Sequence, residues 1–64
     1  MKERNVRVGA RYEIRIGGRT AVVRILGEAA TAGARRRWVA RTEDTRRVLR
    51  ITAARMRREL GGAQ

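Results

Sequence analysis

Cysteine, histidine and serine are all absent from this 64-residue chain, and its aromatic residues are reduced to Tyr12 and Trp38. Without cysteine there is neither a disulfide nor a thiolate metal site to stabilise so short a fold. At this length a core must therefore do the work alone or with self-association. Without serine, cysteine and histidine, the usual nucleophile–base pairs of covalent catalysis are excluded, and the remaining threonines have no base nearby in sequence. No apolar run approaches the roughly 18–20 residues needed to span a bilayer. The opening stretch MKERNVRVGARY has no apolar signal-peptide region. A soluble, cytoplasmic protein is expected, nucleoid-associated if it binds DNA.

Negative charge is also scarce: six Asp+Glu stand against 17 Lys+Arg, a formal net charge of +11. Glu43-Asp44 is the only adjacent carboxylate pair, and it falls in a polar TEDT turn where acidic residues serve the backbone. No G-x-x-x-x-G-K loop is present. Gly17-Gly18-Arg19 offers glycines and a cation, but a hairpin explains it. Enzymatic function, a metal site and a cofactor are not expected.

What the chain does have is alternation. Hydrophobic residues make up 42% of it, too many for a disordered basic tail. After a charged, flexible N-terminus (1–5), Val6, Val8, Tyr12, Ile14 and Ile16 share one parity, with Arg7, Arg11, Glu13 and Arg15 on the other. That period describes a half-buried strand, bent at Gly9. Gly17-Gly18 marks a two-residue turn into RTAVVRIL, with Ala21, Val23 and Ile25 inward, Arg24 outward and Gly27 closing the strand. Residues 28–36 read as a loop. RWVART forms a third strand with Trp38 and Ala40 inward, and RVLRI a fourth with Leu49 and Ile51 inward. TAARMRREL predicts a short C-terminal helix, N-capped by Thr52 and closed by Gly61-Gly62, with Ala53, Met56 and Leu60 on one face. Residues 61–64 are expected to be flexible. The fold class predicted is mainly β: a single domain over 6–60, in which four to five short antiparallel strands curl into a small SH3-like barrel.

The segments GARYEIRIGGR, VVRILGE, RWVART and RVLRITAARMRR resemble small SH3-like barrel proteins of bacteria and phages over about residues 6 to 60. The layout also resembles type II dihydrofolate reductases, tetrameric pore enzymes with a Val-Gln-Ile-Tyr active stretch. That stretch falls on Val48, Leu49, Arg50 and Ile51, where only Val48 matches, so the likeness implies layout and not activity. In size, charge and barrel shape the chain is similar to the small chromatin proteins of archaea. Those are lysine-rich, whereas Lys2 is the sole lysine here.

The arginines are the remaining signal. By strand parity, Arg24, Arg41 and Arg50 project from the outer face of the second, third and fourth strands. Arg35, Arg36 and Arg37 extend this face at one edge and Arg46 and Arg47 at the other, while Arg55, Arg57 and Arg58 add charge from the terminal segment. An ordinary solvated face mixes signs, and this one does not. The expected function is non-enzymatic binding of duplex DNA or structured RNA through the phosphate backbone, with little sequence preference. The alternative is a phage- or plasmid-type accessory module that binds an acidic protein. Val22, Leu26, Val39 and Val48 lie on the outward parity and form an apolar strip suited to a homodimer seam. Within GARRRWVAR, Trp38 is expected in the core and Arg35 to Arg37 at the loop edge of the cationic face.

Overall fold

A computed structural model describes residues 2–29 and 36–61. Its elements are five strands, β1 (Arg11–Ile16), β2 (Arg19–Ala29), β3 (Arg37–Thr42), β4 (Val48–Ile51) and β5 (Met56–Gly61), with 3-10 turns at Glu3–Asn5 and Ala53–Arg55. They form one antiparallel sheet in the order β4-β3-β2-β1-β5.

The β1–β2 hairpin follows from Gly17-Gly18. Both glycines have positive φ, 55° and 81°, and Ile16 pairs directly with Arg19 across the two-residue loop. Consecutive positive φ values match the twist of the flanking strands, which is why glycine is favoured there. Gly9 bends the chain at φ 89°, and its N–H donates to the Ile25 carbonyl at 2.8 Å. The pieces on either side of Gly9 are therefore not one strand. Val6 packs partly against the core, but Val8 is 57% exposed in a turn and does not point inward.

Two further expectations are corrected. Gly27 does not close the second strand: the register skips Leu26 in a bulge, pairing resumes at Gly27 opposite Val39, and β2 continues to Ala29. A bulge absorbs one residue and bends the strand without ending it. The C-terminal helix does not form either. Thr52 makes no side-chain cap bond, only Ala53–Arg55 turn, and Met56–Gly61 extend as β5 along β1. An isolated helix of this length is marginal, whereas β5 satisfies the backbone of the otherwise open β1 edge. Of Ala53, Met56 and Leu60, the residues of the expected helix face, Ala53 and Met56 are buried and Leu60 is half-buried.

The core is Ala10, Tyr12, Ile14, Val23, Ile25, Trp38, Ala40, Ile51, Ala53 and Met56, drawn from every strand. Ala10 and Ala53, outside the strands, complete this cluster, and Val6 packs against it. Chain length requires the sheet to bend. Crossing a flat five-stranded sheet from β4 to β5 needs roughly 19 Å at ~4.8 Å per strand. The link from Ile51 to Met56 through a 3-10 turn reaches only about 14 Å. The sheet is therefore curled. Tyr12, fully buried, ties the N-terminal turn to it: its hydroxyl accepts from the Arg7 N–H at 2.9 Å and donates to the Asn5 carbonyl at 3.4 Å.

Candidate nucleic-acid interface

Register places like charges opposite one another. Arg11 on β1 pairs with Arg24 on β2, Arg24 pairs with Arg41 on β3, and Arg41 pairs with Val48 on β4. Directly opposed residues in an antiparallel ladder lie about 5 Å apart at Cα. Three guanidinium side chains thus rise side by side from the outer face of the curled sheet. Arg50 joins them from β4, opposite Val39 and diagonal to Arg41.

One carboxylate offsets part of this row. Glu43 follows β3 directly and is fixed by its backbone N–H donating to the Val22 carbonyl at 2.9 Å. Its carboxylate accepts from Arg11 Nε and Nη2, both at 2.9 Å, and lies 3.9 Å from Arg24 Nη2. The Arg11 hydrogen bonds hold the Glu43 carboxyl below the usual glutamate range, with the charges of Arg11 and Arg24 acting the same way against a desolvation cost. Arg24 is further committed by a 3.0 Å bond from Nη1 to the Gly9 carbonyl. Arg41 makes no ion pair with a carboxylate of the described residues. Together Arg24, Arg41, Thr42, Glu43 and Arg46 line a shallow depression.

The β3–β4 turn that supplies Arg46 and Arg47 is set by Thr42. This buried threonine accepts from the Arg47 N–H at 2.9 Å through its hydroxyl, which also lies 2.7 Å from the Thr45 hydroxyl. Arg46 adopts φ 58°, the only positive value at a non-glycine position among the described residues. Left-handed backbone disfavours a residue with a Cβ, and here it holds an exposed arginine at the turn tip. Asp44, the other half of the acidic pair, accepts from the Thr45 N–H at 2.7 Å. No cluster of three or more potential metal-binding side chains occurs among the described residues.

The other predicted arginines are more scattered. Arg37 is exposed at the start of β3, Arg47 is exposed before β4, and Arg35 lies outside the described residues. Arg36 is occupied: Nε and Nη2 donate to Glu28 at 3.0 and 2.6 Å, and its guanidinium sits 5.0 Å from the Trp38 ring centre. Those bonds raise the Arg36 pKa and lower that of Glu28, in both cases chiefly through the side-chain hydrogen bonds. Arg58 stands on β5 opposite Glu13, 3.4 Å from its carboxylate, and Arg55 on the 3-10 turn donates to the Arg15 carbonyl at 3.0 Å. Trp38 is 2% exposed, in the core as its parity implied. Arg11 was missing from the predicted face. Its outward parity was legible, but only the β1–β2 register shows it to stand beside Arg24.

Leu26 and Val48 are exposed on the outer surface, while Val22 and Val39 are half-buried. No helix among the described residues is long and apolar enough to cross a membrane. No protein-family model matches the chain, and no curated protein or solved structure gives a significant match.

Proposed function

We propose that the protein is a non-enzymatic, SH3-like barrel that binds nucleic acid through its phosphate backbone, using the outer face built by Arg24, Arg41 and Arg50 with Arg11 and Arg46. One observation carries the reading: Arg24 and Arg41 are direct cross-strand partners, and the one carboxylate nearby is engaged by Arg11 and Arg24. Like charges placed opposite each other on a sheet destabilise it, so the pair is best accounted for by an external anion. Arginine's planar fork suits phosphate oxygens. Successive arginines on neighbouring strands make a comb with no donor pattern aimed at particular bases, which supports backbone contact with little sequence preference. Binding then proceeds by release of condensed counterions and weakens steeply with salt. Curling of the sheet towards barrel closure sets the arc of this comb. A nucleoid-associated, cytoplasmic protein follows if the polyanion is DNA.

A mobility shift with duplex DNA, repeated at low and moderate salt, tests the proposal. Retardation that fades as salt rises is expected, and absence of binding at low salt refutes it.

A second reading, an accessory module for an acidic protein, draws on the bidentate Arg11–Glu43 and Arg36–Glu28 pairs, in which these arginines already donate to carboxylates. A preparation free of co-purifying nucleic acid, with a stoichiometric acidic partner, favours that reading.

A further inference from the structure

The strands β1 to β4 run up and down in sequence, so the β1–β2 and β3–β4 turns come to the same end of the sheet. Between these two tips lies a cleft of about 140 Å³, apart from the arginine row. Ala21 and Leu49, both packed against the core, form its apolar inner wall, and Ile16, 37% exposed, continues that wall towards the rim. Arg19 from one hairpin and Arg47 from the other line the cleft on either side, and neither pairs with a described carboxylate. The one acid on the lining, Asp44, accepts from the Thr45 N–H. Thr20 adds a hydroxyl.

Size and charge together define an occupant. A cavity of roughly 150 Å³ holds one benzene-sized ring, so a single six-membered ring fills this cleft, and a fused two-ring purine would project from its open mouth. An apolar wall between two cations suits a flat ring carrying an anionic group. We infer that this cleft is a subsite for one unpaired pyrimidine nucleotide, its base against Ala21 and Leu49 and its phosphates held by Arg19 and Arg47. The inference rests on the nucleic-acid reading above and deepens it: the sheet face grips the backbone while the cleft selects a base already out of the stack. A paired base must first be extruded at a cost, and an unpaired one need not. The charge of the lining favours a nucleotide over an aromatic side chain of a neutral protein.

Two measurements decide it. Wild-type amide spectra are titrated with cytidine monophosphate, adenosine monophosphate, inorganic phosphate and an acidic peptide containing tyrosine. The cytidine nucleotide is expected to shift the Thr20, Ala21 and Leu49 amides, with the others leaving them in place. Equal shifts from all four, no shifts from any, or shifts from the peptide alone overturn the inference. Second, a duplex with one unpaired cytosine is expected to bind several-fold more tightly than the fully paired duplex, because that base needs no extrusion. Arg19→Ala, an exposed position, should remove that preference while retaining duplex binding, as should the cleft-filling Ala21→Leu. Equal affinity for the two duplexes in the wild type overturns the cleft assignment and leaves the sheet face standing. Failure to bind either duplex refutes the sheet face, and the cytidine titration still decides the cleft.

Discussion

Replacing Arg41 by glutamate should make the protein more stable and a poorer binder. Arg41 is exposed and faces Arg24 directly across β2 and β3. Opposite-charge pairs at such positions contribute about 0.2–1 kcal/mol, and like charges cost a similar amount. Arg41→Glu exchanges one for the other, but solvent and salt screen both terms. A net gain of about 0.5 kcal/mol at low ionic strength is the reasonable expectation. For a domain of this size that corresponds to a rise in Tm of roughly 2–4 °C. The same substitution removes a phosphate contact and adds repulsion, so duplex affinity should fall and the salt slope flatten by about one unit. Thermal melts at low salt and at ~0.5 M, where the Debye length is only a few ångströms and the gain should vanish, are read beside duplex titrations. If Arg41→Glu lowers Tm at low salt, or leaves duplex binding unchanged, the reasoning from the cross-strand arginine pair fails.

Glu43→Gln should act in the opposite sense: losing the carboxylate that holds Arg11 and sits beside Arg24 lowers Tm while tightening duplex binding, checked by the same pair of assays. Arg46→Gly should stabilise by about 0.5–1 kcal/mol in urea titrations, because glycine accepts the φ of 58° that an arginine adopts at a cost. Acid should destabilise the fold: the Glu28 and Glu43 carboxyls lie below their ordinary range in the folded state. Their contribution is complete above the unfolded glutamate pKa of about 4.3 and is lost as pH falls through the lowered folded values. A Tm series in acid buffers checks this, and a flat profile there contradicts it. Trp38→Ala should cost about 3–5 kcal/mol and leave little folded protein by far-UV circular dichroism, since the ring is nearly fully buried in a small core.

Much of the sheet was legible because strand parity is a local property. Val23, Ile25, Trp38, Ala40 and Ile51 alternate in sequence and are buried in the fold, and Gly17-Gly18 announces its own turn. What parity cannot carry is which strands become neighbours. Met56 to Gly61 has helical spacing as well as strand length, and the open edge of β1, distant in sequence, decides for the strand. The bulge at Leu26 likewise answers to the pairing with β3 and not to β2 alone. The candidate site divides in the same way. Arg24, Arg41 and Arg50 were readable as outward residues, but Arg11 enters only through register. Arg36 falls outside the row because it precedes β3, at the end opposite Arg41, where it pairs with Glu28 and Trp38. The cleft between the hairpin tips joins residues about 30 positions apart, so no local pattern foretold it.

The most direct test of the central claim is the dependence of duplex-DNA affinity on salt. If the row of Arg11, Arg24 and Arg41, with Arg46 and Arg50, neutralises three to five phosphates, log K should fall linearly with log salt at a slope of about −3 to −4.5. The slope should be the same for unrelated sequences. A slope near zero, or no measurable binding at low salt, would contradict the account.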